Sequence, residues 1–139
     1  MFTPQDEIEI NKRLEEVQDN VKLILFTQSL NCETCPETET LLRSLAALSE
    51  KLTLEVYNLH VDREKAEQYK VTRVPALILE GERDYGIRFL GMPGGFEFAS
   101  LLEDLIAVGK RTSGLSEASR EKIRAVTEPV NLKVFVTPG

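Results

Sequence analysis

The sequence predicts an α/β fold in which a mixed four-stranded sheet is flanked by helices. The apolar run Leu23–Phe26 is typical of a strand that is buried on both faces. Along the chain, segments with helical spacing of apolar residues alternate with short strand-like segments, in the order α-β-α-β-α-β-β-α. The only two cysteines, Cys32 and Cys35, lie between the first strand and the following helix. These features predict one folding unit organised around the cysteines.

Composition limits what this protein can be. The chain has 139 residues, of which 42% are hydrophobic and 29% charged, as in a soluble domain with a fragment of a second one. A net charge of -6 argues against nucleic-acid binding. The acidic N-terminal segment lacks the apolar core of a signal peptide, and no apolar run approaches the roughly 20 residues of a membrane span. We therefore expect a cytoplasmic protein with no membrane partner.

The first half of the chain predicts a βαβ unit preceded by a helix. Thr3 and Pro4 mark the start of that helix, which runs to about Gln18. The first strand covers Val21–Thr27, and the cysteine-containing helix extends to near Glu50. Residues 52–59 alternate as a second strand does, and the helix between two strands implies a parallel pair with a right-handed crossover.

The second half predicts a β-hairpin between two helices. Asp62 is placed to cap a short helix that reaches about Tyr69. The apolar run Ala76–Leu79 and the segment Tyr85–Leu90 are separated by a glycine-containing turn, as in an antiparallel hairpin. A helix with apolar residues at helical spacing follows and completes a unit of residues 1–110.

Residues 111–139 resemble the beginning of the chain. A polar linker leads to a short helix that starts near Ser116, and Val130–Val136 repeats the pattern of Val21–Thr27. Helix, break and strand recur in the same order, which favours an internal repeat over a chance likeness of two apolar strands. Such a strand would either dock on the sheet of its own chain or pair with another chain, since an unpaired edge favours self-association.

Cys-x-x-Cys between a strand and a helix is the arrangement that a dithiol redox site needs. The N-terminus of a helix favours a thiolate, and two intervening residues let the second sulfur resolve a mixed disulfide. A zinc site is the alternative for such a motif. Structural zinc takes four ligands, and the chain has no second Cys/His pair, so a metal site would require a zinc-bridged dimer.

The order of elements, the motif Cys32-Glu33-Thr34-Cys35 and the later Val74-Pro75 together resemble the thioredoxin fold. The segments 85–95 and 134–138 are similar to those of the protein disulfide oxidoreductases of thermophiles, also called glutaredoxin-like proteins. Members of that family carry two thioredoxin-fold units, each with a Cys-x-x-Cys. The resemblance implies that residues 1–110 are the N-terminal unit. Residues 111–139 would then be the linker, helix and first strand of a second unit truncated before its own cysteines.

The resemblance also assigns roles to site residues. It implies that Cys32 is the attacking sulfur, that Cys35 is the buried resolving sulfur, and that Pro75 is the family's cis-proline. Val74 would offer its backbone to an extended substrate chain, since proline leaves that edge open. The implied partners are proteins with thiols or disulfides and an electron donor resembling thioredoxin reductase. No cofactor is implied beyond the Cys32–Cys35 disulfide.

Three departures from thioredoxins bear on activity. Asn31 replaces the usual tryptophan, Glu33 and Thr34 replace Gly-Pro, and Phe26 replaces the buried acid. The charge of Glu33 opposes thiolate formation at Cys32, which predicts a more reducing or less active site. These departures keep open the alternative that the chain is a scaffold half of a two-site oxidoreductase.

Pro36 leaves the start of the cysteine-containing helix undecided. The residue before a proline avoids helical angles, so the helix begins either near Pro36, with Cys32 in a loop, or near Cys32 with a distortion. Two other segments carry weaker functional signals. His60, the only histidine, is expected at the surface or at a cap. Gly94-Gly95-Phe96-Glu97 is similar to a glutathione-binding turn, although it suits the start of a helix equally well.

Overall fold

The computed structural model describes residues 1–137 and contains the predicted order of elements. Five helices and four strands are assigned within that range. The bounds are α1 Pro4–Leu14, β1 Val21–Thr27, α2 Cys35–Ala46, β2 Leu52–Asn58, α3 Arg63–Tyr69, β3 Ala76–Glu80, β4 Asp84–Leu90, α4 Phe96–Lys110 and α5 Glu117–Arg124. Helices α1 and α2 end about four residues earlier than the sequence predicts. No helix of residues 1–137 is long and apolar enough to cross a membrane.

The four strands form one mixed sheet in the order β2-β1-β3-β4. Strands β1 and β2 are parallel, with Val21 opposite Leu52, which confirms the predicted parallel pair. Strand β3 runs antiparallel to both β1 and β4, which confirms the predicted hairpin. The two central strands, β1 and β3, are covered on both faces of the sheet, and this explains why both are apolar at almost every position.

Alternate residues of β1 face two different cores. Leu23 and Leu25 pack into a large cluster with apolar residues of α1, α2 and α4. Ile24 and Phe26 pack on the other face against Ala66 and other residues of α3 and β3. This division follows from the period of two along a strand. This packing holds the end of β1, which leads into the cysteine loop (residues 28–34). It also holds the start of β3, which follows the proline loop (residues 70–75).

The C-terminal segment differs from the prediction. Helix α5 begins one residue after Ser116, whose side chain accepts a hydrogen bond from the N–H of Ser119, but it buries no residue. The predicted strand over 130–136 is wrong for this structure: residues 125–137 lie in no helix or strand, and all are exposed. A strand is stabilised by hydrogen bonds to a neighbouring strand, and within residues 1–137 none lies beside this segment.

Candidate active site

The two cysteines form a disulfide at the C-terminal end of β1. Their Cα atoms are 5.4 Å apart, within the range that a disulfide can span. Strand β1 ends at Thr27, a loop follows, and α2 begins at Cys35. The buried strand and the packed helix thus hold the ends of a short loop that contains Cys32.

The two sulfur-bearing residues differ in exposure. Cys35 is only 3% exposed, because it lies in the first turn of α2 on the face that packs against the sheet. Cys32 is half-buried and therefore reachable from solvent. Cys35 is buried as the sequence predicts, and a partner sulfur can approach Cys32 more easily than Cys35. The attacking and resolving roles of the two cysteines stay predictions.

Helix α2 begins at Cys35, with Thr34 as the N-cap residue, so Cys32 lies in the loop ahead of the helix. This is the first of the two alternatives that Pro36 left open. The Thr34 side chain makes no capping hydrogen bond, and Pro36 has no N–H to donate. Within residues 1–137, the N–H groups of Cys35 and Glu37 have no hydrogen-bond acceptor. In the first turn of α2, these two donors remain to stabilise a thiolate.

Thr38 fixes the carbonyl at the start of α2. It is the one buried polar or charged side chain found in residues 1–137. Its backbone N–H and its hydroxyl both donate to the Thr34 carbonyl oxygen, at 2.9 Å and 2.7 Å. Because both donors satisfy the same carbonyl, the N-cap residue is held rigidly next to Cys35.

The position of the thioredoxin acid is filled by an aromatic cluster. Phe26 is fully buried, and its ring centroid lies 5.6 Å from that of Tyr57 and 6.2 Å from that of Tyr69. Since Thr38 is the one buried polar residue found, no buried carboxylate in residues 1–137 can accept the proton of Cys35.

The proline loop lies at the same end of the sheet as the cysteines. Phe26 of β1 pairs with Ala76 of β3, which places Pro75 next to the end of β1. The Val74–Pro75 peptide bond is cis, as the sequence predicts, and the Pro75 carbonyl accepts a hydrogen bond from Gly91 N–H at 2.9 Å. Within residues 1–137, the backbone N–H and C=O of Val74 have no hydrogen-bond partner.

Glu33 and Thr34 separate the cysteines and are both exposed. The Glu33 carboxylate forms no ion pair among residues 1–137, so solvent is its main screen. No group of three or more metal-ligating side chains could hold a metal ion in the same part of the chain.

Sequence reasoning missed one contact in the site. His60 is exposed, as expected, but its Nε2 lies 3.1 Å from Gln28 Oε1 in the cysteine loop. The Gln28 side-chain amide donates to the Asn31 carbonyl at 3.3 Å. Gln28 and His60 are 32 positions apart in the chain. No spacing rule predicts their contact, which depends on β1 and β2 being neighbours.

Comparison with known proteins identifies the family. A family model described as "Thioredoxin domain" matches residues 19–102, more than half of the chain. The chain belongs to the thioredoxin-domain family. It is also similar to a probable thioredoxin of Methanothermobacter marburgensis, with 34% identity over 87 residues that cover 62% of this chain and 96% of that protein. With its Cys32–Cys35 pair at disulfide distance, this chain is a thiol–disulfide oxidoreductase of thioredoxin fold.

Longer proteins match more of the chain. A protein disulfide oxidoreductase from Aeropyrum pernix superposes with a TM-score of 0.78 at 27% identity, covering 88% of this chain and 54% of that one. An alkylhydroperoxide reductase of Enterococcus faecalis gives a TM-score of 0.78 at 25% identity, covering 89% of this chain and 60% of that one. This chain thus spans little more than half the length of these two structures. The match extends beyond residues 1–111 into the segment after α4.

Proposed function

We propose that this thioredoxin-fold oxidoreductase acts on protein disulfides and dithiols. The observation that carries the proposal is the asymmetry of the pair, with Cys32 half-buried and Cys35 only 3% exposed. A half-buried sulfur that solvent still reaches can meet a disulfide within a folded protein, while a buried neighbour is protected until a mixed disulfide has formed. The likeness to the Aeropyrum pernix protein disulfide oxidoreductase supports this substrate class.

The reaction consists of two exchanges. The Cys32 thiolate attacks one sulfur of the substrate disulfide, forms a mixed disulfide and expels the other substrate sulfur as a thiolate. The Cys35 thiolate then attacks the Cys32 sulfur, and the second substrate thiolate leaves. Two electrons move from the Cys32–Cys35 dithiol to the substrate, and the reverse sequence oxidises dithiols. In this proposal the dithiol is the whole redox group and no further cofactor takes part.

Val74 and Pro75 are proposed to form the substrate-binding edge. The free N–H and C=O of Val74 could pair with an extended substrate segment, as in strand addition. Pro75 offers no N–H, so a visiting chain meets no competing donor at that residue. The proline loop lies at the cysteine end of the sheet, which would bring the substrate disulfide towards Cys32.

Glu33 and Thr34 are proposed to tune the site. The exposed Glu33 carboxylate precedes α2, where its charge disfavours a thiolate at the adjacent Cys32. Thr34 leaves the first turn of α2 without a side-chain cap, so its N–H groups remain available to sulfur. The charge of Glu33 and the free N–H groups of α2 have opposite effects on the thiolate. We expect the charge to be the larger effect, and therefore a reduction potential lower than that of a Cys-Pro-Tyr-Cys site.

Electrons would come from a separate donor, proposed to resemble thioredoxin reductase. The likeness to the Enterococcus faecalis alkylhydroperoxide reductase supports a relation to reductase systems. We propose a cytoplasmic setting, because a single Cys-x-x-Cys with no other cysteine is typical of a protein from a reducing compartment.

We also propose that residues 1–110 and residues 111–139 belong to different units. The first range contains the whole sheet and both cores. Within the second range, helix α5 and residues 125–137 bury no side chain, as expected for a segment whose packing partners lie elsewhere. A second copy of the chain could also cover the exposed apolar residues 130–136.

Mixed-disulfide trapping tests the proposed activity. A Cys35→Ser variant cannot resolve the intermediate and should accumulate protein adducts through Cys32, whereas Cys32→Ser should accumulate few. The competing hypothesis is a scaffold unit without exchange activity, for which Phe26, Glu33 and Pro36 are the supporting observations. That hypothesis predicts no adducts above background with Cys35→Ser, and such a result would refute the oxidoreductase proposal.

A further inference from the structure

Gln28 and His60 connect the cysteine loop to the turn that follows β2. The Gln28 side-chain amide donates to the Asn31 carbonyl at 3.3 Å, and Gln28 Oε1 lies 3.1 Å from His60 Nε2. Asn31 is the residue directly before Cys32, and its φ of 57° is in the left-handed region. We infer that Gln28 and His60 are positioning residues that hold the turn at Asn31 and thereby orient Cys32 towards the N-terminus of α2.

The direction of each hydrogen bond in this chain of contacts is fixed. A carbonyl oxygen can only accept, so the Gln28 amide must present its nitrogen to Asn31. Its oxygen then faces His60, and His60 Nε2 must therefore carry a hydrogen. Nε2 donates in the neutral Nε2–H tautomer and in the imidazolium alike, so the connection persists in both protonation states.

The turn that holds His60 is itself well anchored. Asn58 Oδ1 accepts the backbone N–H groups of His60 and Val61, at 2.9 Å and 3.1 Å. The Asp62 carboxylate accepts the Asn58 N–H at 2.7 Å, and the Arg63 guanidinium donates to the His60 carbonyl at 3.2 Å. The backbone of His60 is therefore anchored, and its side chain supports the loop through Gln28.

The left-handed turn at Asn31 explains why such support matters. Left-handed backbone is unfavourable for residues other than glycine, although asparagine tolerates it better than most. The turn leads the chain from the end of β1 into Cys32 just before α2. If the loop relaxes, the Cys32 sulfur spends less time near the free N–H groups of Cys35 and Glu37. The thiolate then loses stabilisation and reacts more slowly.

The inference rests on the proposed role of Cys32 as the attacking sulfur, and reaction with iodoacetamide tests it. The reduced parent is compared with Gln28→Met, His60→Leu and the double variant over a range of pH, with the modified cysteine mapped by mass. Each single variant should raise the apparent pKa of the Cys32 thiol and lower its alkylation rate at neutral pH about fivefold, the factor expected for one hydrogen bond. The double variant should be no slower than Gln28→Met, because His60 acts through Gln28.

Two further variants are matched controls. His60→Gln keeps a side-chain N–H donor and should restore most of the parent rate. Gln68→Met changes an exposed glutamine of α3 and should leave the rate unchanged. The inference is overturned if the single variants match the parent, if their effects add in the double variant, or if His60→Gln reacts as slowly as His60→Leu. It is also overturned if the variants are alkylated more slowly only in proportion to a loss of thermal stability, while the pKa of Cys32 stays constant.

The same data distinguish failure of the inference from failure of the proposed function. If both cysteines of the parent react equally slowly, the proposed function fails at its first step. If Cys32 of the parent reacts preferentially but Gln28→Met and His60→Leu react as the parent does, the proposed function stands and the positioning role is wrong.

Discussion

Replacing Pro36 should make Cys32 a better thiolate. Pro36 lies in the first turn of α2 and removes one N–H from the end of the helix that faces the sulfur. The Pro36→Ala variant restores that donor, and we expect the pKa of the Cys32 thiol to fall. The variant also releases Cys35 from the restriction that applies to the residue before a proline, which favours a regular first turn.

The size of the effect follows from the exposure of the sulfur. A hydrogen bond to a charged group contributes roughly 1.5–3 kcal/mol, which corresponds to about 1–2 pKa units. Cys32 is half-buried, so water competes with the new donor and we expect about half a unit. A lower pKa of the Cys32 thiol makes the reduced form more stable. The reduction potential of the Cys32–Cys35 pair should therefore rise by about 15 mV.

Alkylation of reduced protein against pH measures the pKa, and equilibration with glutathione measures the potential. Pro4→Ala is the matched control, because Pro4 occupies the first turn of α1, which holds no cysteine. The reasoning would be refuted if Pro36→Ala left the pKa of Cys32 unchanged or raised it. It would also be refuted if Pro4→Ala produced the same shift.

Four further measurements have expected outcomes. Glu33→Gln removes a charge beside the nucleophile and should lower the pKa of Cys32 by about half a unit in the alkylation assay. In denaturant unfolding, Gly109→Ala should lower the free energy of unfolding by about 1 kcal/mol, because the added Cβ would lie 2.7 Å from the Val17 side chain. Gly94→Ala should leave the free energy of unfolding nearly unchanged, because nothing lies within 4 Å of its added Cβ. The Tyr69 hydroxyl donates to the Glu80 carboxylate at 2.7 Å and should contribute about 1 kcal/mol to the free energy of unfolding at neutral pH. Burial and this hydrogen bond also raise the pKa of Tyr69. Because the unfolded tyrosine ionises first, the advantage over Tyr69→Phe should shrink above about pH 10. Sedimentation over a concentration series should show self-association through the exposed residues 130–136. A sedimentation coefficient that does not change with concentration would contradict this pairing between copies.

The α/β fold and the two cysteines of the site could be predicted from the sequence alone. Short apolar runs bounded by turn residues predicted β1 and the β3–β4 hairpin, and alternation of apolar residues predicted β2, because both patterns are local properties of a strand. Cys32 and Cys35 stood out because a Cys-x-x-Cys between a strand and a helix has few other uses. Val74-Pro75 at the start of β3 was predicted to be cis, and it is cis in the structure.

Other features depended on contacts between distant residues, which no local pattern contains. The start of α2 at Cys35 was undecided in the sequence, because the preference before Pro36 competes with helix formation and only packing against the sheet decides between them. The contact between Gln28 and His60 exists because β1 and β2 are neighbours in the sheet. The strand predicted over 130–136 has the right pattern but no partner, and a strand requires hydrogen bonds from another strand to form. Sequence pattern thus identified the reacting sulfurs, while the tertiary structure decided what surrounds them.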